Sequence, residues 1–215
     1  MLIIGAKGFA KEVLEVLHQL NQLDSVVFYD DVTIDIQEQL YGKFPVLKSI
    51  EEAAAHFQSV DNRFAIGIGN PVLRKIVATK FEKIGGVLTS TISPFATIGN
   101  FGNVIGNGCN IMAGAIISND VTIGNGCIVY FNAILSHDCI VGNFVEISPN
   151  ATLLGRCVIG SYTQIGANAT ILPNISIGQN VIVGAGSVVT KDIPDNCLVV
   201  GVPAKIIKEL PTPKF

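Results

Sequence analysis

The sequence predicts two joined folds, a small α/β domain followed by an all-β domain wound as a parallel β-helix. Three observations carry that reading. Branched aliphatic residues recur at every sixth position from Ile105 to Val189, fifteen in succession without a slip. Over the same stretch the charge thins out: residues 92–194 hold only Asp120, Asp138, Glu146, Arg156, Lys191 and Asp192, and the other 25 charged side chains lie in the first 91 and last 21 residues. Third, the chain opens as an apolar strand, a glycine turn and an amphipathic helix. The expected divisions are 1–90, 91–194 and a closing tail, 195–215.

Composition narrows the function classes. The 215 residues carry 14 basic and 17 acidic side chains, a net charge of -3 and a pI near 5.6. Nucleic acid and anionic lipid would require clustered Lys and Arg, so neither is an expected partner. Charged residues make up only 14% and mean hydropathy is +0.51, which calls for cover by a membrane or an assembly. No stretch reaches the roughly 18 apolar residues of a spanning helix, because Gly, Asn, Thr, Ser or Pro intervenes every few positions. Met1-Leu2-Ile3-Ile4 runs into Gly5 without the basic and apolar regions of a signal peptide. The expectation is a cytoplasmic protein whose apolar surplus lies in a regular core and in subunit contacts.

In the first domain, Leu2-Ile3-Ile4 reads as a buried strand and Gly5-Ala6-Lys7-Gly8 as a turn. Phe9, Ala10, Val13, Leu14, Leu17 and Leu20 then form the apolar stripe of a helix. Val26 to Tyr29 is a second strand ending in Asp30-Asp31, and Phe64 to Ile68 a third, leading through Gly69-Asn70-Pro71 into a helix that carries Arg74. Phosphate suits a glycine turn at a helix N-terminus, and an acid at the end of the next strand suits a nucleoside donor group. The match to Gly-x-Gly-x-x-Gly is poor, which argues against NAD. His18 and His56 read as surface residues of helices.

In the second domain, three positions after each repeated aliphatic, twelve of fifteen residues are Asn, Gly or Asp, the types that accept a left-handed corner. Four positions after it comes a smaller inward residue such as Cys109, Ala115 or Val121. Three such hexads close one triangular coil, giving about five coils stacked at roughly 4.8 Å. Ile92 and Ile98 extend the pattern backwards, with one extra residue before Ile105. Cys109, Cys127, Cys139 and Cys157 occupy the inward position and read as buried free thiols; Cys197 lies outside the repeat.

One corner stands out. The third residue of a hexad points outward, and in Leu135-Ser136-His137-Asp138-Cys139-Ile140 it is the sole histidine of the repeat. A solvated turn residue explains it blandly, and Asp138 occupies a position that favours Asp anyway. The sharper reading makes His137 a general base with Asp138 holding its tautomer, since imidazoles titrate near about 6.5. Gly155 lies three hexads on, at the same corner one coil away. Lacking a side chain, it leaves room for a thioester and exposes an N–H for the carbonyl oxygen.

The repeat and its turns look like the hexapeptide-repeat acyltransferases, a resemblance that implies a left-handed β-helix and a homotrimer. Within them, residues 136–144 resemble the His-Asp or His-Glu segment of the PglD/NeuD-like sugar acyltransferases, and the likeness extends over essentially the whole chain. It implies that His137 is the base, that Asp138 tunes it, and that acetyl-CoA lies in the groove between two subunits. Gly155 and Ala185 would contact this cosubstrate through their backbones, and Lys205, in Gly201-Val202-Pro203-Ala204-Lys205, would lie near its nucleotide end. Glu146 stands where many relatives have a second histidine near the thioester, and Tyr130 where relatives often have Asn. Gly5 to Val13, Asp30-Asp31 and Ile68-Gly69-Asn70 resemble the nucleotide-sugar-binding domain of the same branch. That likeness makes Lys7, Gly8, Phe9, Asp30, Asp31, Gly69 and Asn70 substrate-binding candidates, with Phe9 replacing a histidine common in relatives.

The expected activity is acetyl-CoA-dependent N-acetylation of a nucleotide-linked 4-amino-4,6-dideoxy sugar, with no metal. An O-acetyltransferase of the sialic-acid type would use the same base, but a free acid sugar leaves Asp30-Asp31 unexplained. A zinc-dependent carbonic anhydrase on this helix would need several histidine ligands. A non-enzymatic β-helix binder would show a ladder of identical polar residues, whereas the outward positions here are mixed.

Overall fold

A computed structural model describes all 215 residues. The first domain is a Rossmann-like α/β unit. Its elements are β1 (Leu2–Ile4), α1 (Gly8–Gln19), β2 (Val27–Tyr29), β3 (Gln39–Leu40), β4 (Phe44–Leu47), α2 (Ile50–Ser59), β5 (Arg63–Ile66), α3 (Pro71–Lys83) and β6 (Val87–Leu88). The sheet order is β3-β4-β2-β1-β5-β6, parallel except for the β3–β4 hairpin. β1 is buried on both faces, which is why Leu2-Ile3-Ile4 is a continuous apolar run. β5 ends before residue 68 because the chain turns at Gly67, where an added Cβ would lie 2.5 Å from that of Ala10 and so part α1 from the sheet. The β3–β4 hairpin and α2 carry little periodic signal; α2 is set instead by a capping box between Ser49 and Glu52. His18 is exposed, whereas His56 is half-buried beside Phe57, and burial lowers its pKa.

From Thr91–Ile92 the chain winds as a parallel β-helix of two-residue strands. Each strand pairs with the one three hexads on, as in Ile134↔Thr152 and Leu135↔Leu153. Three sheets result: the first runs through 110–111, 128–129, 146–147 and 164–165, the second through 116–117, 134–135 and 152–153, the third through 122–123, 140–141 and 158–159. The repeated aliphatics and inward small residues, four of the cysteines among them, form one continuous core. All five cysteines are free and buried. Of the fifteen corner positions, all but Asp192 have positive φ, including Phe144, Arg156 and Tyr162. A left-handed backbone is costly for such side chains. At Phe144 and Tyr162 the rings stack on each other, 6.1 Å apart and 8° from parallel. Residues 195–215 do not trail freely at their start: Cys197–Gly201 and Ala204–Glu209 extend the first sheet, and Cys197 closes its core.

The first domain packs on the outer side of the first sheet, and a buried cation fixes it there. Arg74, in α3, is 1% exposed. Its Nε donates to the Gly126 carbonyl (3.1 Å), Nη2 to the carbonyls of Phe144 (2.8 Å) and Val145 (3.2 Å), and Nη1 to the Gly69 carbonyl. Burial pushes its pKa down to about 10, so it remains charged at neutral pH. A second tie runs from Thr91, whose hydroxyl donates to Asn110 Oδ1 (2.6 Å), while Asn110 Nδ2 donates to the Ile66 carbonyl (3.0 Å). Replacing Arg74 with Met leaves several buried carbonyls without a donor, at about 1–3 kcal/mol each. Urea unfolding is expected to show at least about 3 kcal/mol lost, with the first domain melting ahead of the β-helix.

Candidate active site

The β-helix has three corner lines. The chain runs from the first sheet to the second, then the third, and back to the first, so the corner between the second and third sheets lies opposite the first domain. That corner carries Phe101, Asn119, His137, Gly155, Pro173 and Lys191, each stacked on the one before it a full coil away. The hydrogen bonds verify the stack: the Asp120, Asp138, Arg156 and Asn174 N–H groups donate in turn to the carbonyls of Phe101, Asn119, His137 and Gly155.

His137 Nδ1 lies 2.7 Å from Asp138 Oδ2, and both side chains are 51% exposed. With the carboxylate ionised, this contact fixes the proton on Nδ1 and leaves Nε2 as the acceptor. The imidazole lies over Gly155, where an added Cβ would fall 2.6 Å from Cε1 and 2.7 Å from Nε2. The Gly155 N–H, like those of Asn119 and His137 on the same corner, has no partner within the chain. At the corner between the third and first sheets, three outward side chains accept from the N–H one coil back: Asn107 N–H donates to Asn125 Oδ1, Asn125 N–H to Asn143 Oδ1, and Asn143 N–H to Ser161 Oγ. Beyond Gly155 the corresponding residue is Pro173, which offers no acceptor. The corner thus presents a base and a hydrogen-bond donor on adjacent coils, the two groups an acyl transfer needs.

A second site lies in the first domain, at the carboxyl ends of β1, β2 and β5, where the strand order reverses. It is a cavity of about 380 Å³ whose wall includes Gly5, Lys7, Gly8, Asp31, Gly69 and Lys80. Gly5 is at φ +98, with Gly67 O only 3.0 Å from where a Cβ would be. Lys7 is the N-cap of α1 and makes no side-chain cap, so the first N–H groups of the helix remain free. Asp31 Oδ2 accepts from the Tyr29 hydroxyl (2.7 Å) and from Lys80 Nζ (3.2 Å). Burial alone would raise the Asp31 pKa, but those two donors outweigh it and the net shift is downward. Asp30 also lines the cavity, and its carboxylate accepts from Val32 N–H, Thr33 N–H and the Thr33 hydroxyl, which shapes its own loop. Phe9 lines the cavity and meets Tyr130 at 5.3 Å. Asn70 caps α3, its Oδ1 accepting from Leu73 N–H (2.9 Å).

The remaining candidates are dispersed within one chain. Ala185 is exposed on the corner between the first and second sheets, and Lys205 is exposed on the last hairpin. Glu146 lies on the first sheet beneath the first domain, away from the His137 corner. Its oxygens accept from Ser148 Oγ (3.1 Å) and Gln164 Nε2 (3.2 Å), and Oε2 would be 3.9 Å from a Cβ on Gly69. Sequence reasoning missed Arg74 and Lys80, one binding both domains and one holding Asp31. A cationic residue on a helix gives no signal of either role. No group of three or more His, Cys, Asp or Glu is placed to hold a metal, and no helix is long and apolar enough to cross a membrane.

The family profile "PglD N-terminal domain" matches residues 1–81, and "Bacterial transferase hexapeptide (six repeats)" matches 104–137 and 156–191. Among solved structures, the acetyltransferase domain of PglB from Neisseria gonorrhoeae FA1090 is 32% identical, with a TM-score of 0.87 over 96% of this chain and 98% of that one. The chain belongs to the PglD/NeuD-like family of sugar acyltransferases. It is thus an acyltransferase, and its helix is the left-handed hexapeptide β-helix of that family. A histidine-to-asparagine mutant of perosamine N-acetyltransferase from Caulobacter crescentus, solved with CoA and GDP-perosamine, is also 32% identical, with a TM-score of 0.89 over 97% of this chain and 96% of that one. WeeI from Acinetobacter baumannii AYE is 29% identical, with a TM-score of 0.86 over 96% and 98%. No curated protein matches the chain.

In this family member Gly155→Ala tests the corner directly. The added methyl displaces the imidazole, and kcat is expected to fall about 100-fold, with the circular dichroism spectrum and melting curve unchanged.

Proposed function

We propose that the chain transfers an acetyl group from acetyl-CoA to the amine of a nucleotide-linked 4-amino-4,6-dideoxy sugar, as a cytoplasmic homotrimer. The observation that carries the reading is the His137–Asp138 pair set over Gly155, facing away from the cavity of its own chain. His137 Nε2 takes a proton as the amine nitrogen attacks the thioester carbon. Asp138 accepts from Nδ1–H and stabilises the imidazolium, and the Gly155 N–H donates to the oxyanion. Collapse breaks the C–S bond, and the sulfur leaves as CoA thiol with the proton His137 had taken.

The positions of the site residues support the trimer. The outward face of the second sheet is uncharged, with Ile116 and Ile134 exposed beside Thr97, Thr152, Thr170 and Val188. Packing three copies on that face about a threefold axis juxtaposes its two edges from neighbouring copies. One edge is the His137–Gly155 corner, the other the Ala185 corner next to the first domain. The groove between them would hold acetyl-CoA, with Gly155 from one copy and Ala185 and Lys205 from the next. The cavity at Gly5–Phe9, Asp31 and Gly69 would hold the sugar nucleotide. The coenzyme and GDP-perosamine of the Caulobacter relative support this assignment.

The test is thiol release from acetyl-CoA with UDP-, dTDP- and GDP-linked 4-amino-4,6-dideoxy sugars. One of them is expected to turn over, and His137→Ala to lose about 10²- to 10⁴-fold in kcat while remaining folded. Turnover of sialic acid or another hydroxyl acceptor instead would assign the chain to O-acetylation, and activity surviving the substitution would remove His137 from the mechanism.

A further inference from the structure

Glu146 has no part in the reaction proposed above, yet it stands where the first-domain cavity meets the β-helix. Two residues lining the cavity touch the first sheet there. Phe9 meets Tyr130 at 5.3 Å, and Gly69 comes so near Glu146 that an added Cβ would lie 3.9 Å from Oε2. Ser148 Oγ donates to Glu146 Oε1 (3.1 Å) and Gln164 Nε2 to Oε2 (3.2 Å), which fixes the carboxylate in place with neutral groups. The buried guanidinium of Arg74 interacts with it only through space, because its donors go to backbone carbonyls, and Glu146 has no ion-pair partner. The residue is half-buried rather than enclosed, and two donors leave lone pairs of the carboxylate unfilled.

The height of Glu146 along the β-helix matches that of the reacting groups. It is nine residues after His137 and nine before Gly155. Half a coil is about 2.4 Å of rise, so Glu146 lies level with the gap between the base and the glycine, on another face of the prism. Rotation about a threefold axis parallel to the β-helix leaves height unchanged. In the proposed trimer, Glu146 of one copy is therefore level with His137 and Gly155 of the next. With the nucleoside at Asp31 and the diphosphate at the free N–H groups of α1, the sugar falls at the Phe9–Gly69 end of the cavity, against Glu146. An acceptor group there faces two hydrogen-bond acceptors, the Glu146 carboxylate and His137 Nε2. A primary amine serves both: one N–H bonds to the carboxylate, the other gives its proton to the imidazole, and the lone pair attacks the thioester carbon. A hydroxyl has a single proton, and either bond leaves the second acceptor unpaired.

We propose that Glu146 is a specificity-determining residue that selects an amine over a hydroxyl acceptor, by taking the N–H that His137 does not. This rests on the function proposed above. Steady-state kinetics of the wild type, Glu146→Gln and Glu146→Ala test it, with a nucleotide-linked 4-amino-4,6-dideoxy sugar and its 4-hydroxy counterpart as acceptors. In Glu146→Ala kcat/KM for the amino sugar is expected to fall about 10- to 100-fold, and the preference for amine over hydroxyl to narrow by the same factor. Glu146→Gln keeps the shape with a weaker acceptor and is expected to fall between. The KM for acetyl-CoA, the melting curve and the calorimetric Kd of the free nucleoside diphosphate are expected to stay as in the wild type. An unchanged kcat/KM for the amino sugar, or an equal loss on both acceptors, would overturn the role. Weakened binding of the nucleoside diphosphate would overturn it too, by making Glu146 a support for Arg74 and the domain joint. Failure of the wild type on every nucleotide amino sugar would overturn the function, and the role with it.

Discussion

Everything in the second domain depends on one numerical constraint, that a hexad makes a side and three sides make a coil. Because three hexads close a turn, each residue lies on the residue of the same kind one coil away, and small corrugations in the sequence become straight lines in space. Aliphatic lines fill the core, and Asn, Gly and Asp lines make corners whose left-handed backbone they tolerate. The same constraint makes the active site simple to build. A histidine and a glycine three hexads apart need no loop to bring them together, only the β-ladder that already joins their coils.

The same stacking lets the three corners treat their backbone donors differently. Along one corner the side chains of Asn125, Asn143 and Ser161 satisfy the N–H groups one coil back. A ladder of that kind at His137 and Gly155 would consume the N–H that an oxyanion needs. Gly155 and Pro173 interrupt it, the first by having no side chain and the second by having no acceptor.

Most of this was legible in the sequence because it is periodic. The strands, the inward cysteines, the left-handed corners and the His137–Gly155 alignment all follow from counting by six. Outside the repeat, the short apolar runs of β1, β2 and β5 were legible, whereas the irregular segments were not. The β3–β4 hairpin has short strands and no clear alternation, and the strands at 197–209 lie beyond the last regular hexad. Asp30 and Asp31 read as a pair, yet one folds back on its loop and the other is held by Tyr29 and Lys80. Arg74 is the clearest case of a signal that sequence cannot carry. Its role comes from carbonyls 52, 70 and 71 residues away, and no spacing within α3 announces them.

That arginine links the geometry of binding to the geometry of catalysis. One of its nitrogens holds the Gly69 turn that walls the first-domain cavity, and the others hold the coils of the β-helix on which the first domain sits. The cavity is thereby set at a fixed height and angle against the first sheet, on the far side of the prism from its own His137. A flexible joint would let the cavity wander along the helix, and under the proposed reaction its acceptor would then meet a coil without His137. In the trimer proposed here, closing the ring would convert a separation within one chain into proximity between two, provided every joint is the same. Rigidity between the domains would therefore be the condition under which the proposed assembly aligns the cavity of one copy with His137 of the next.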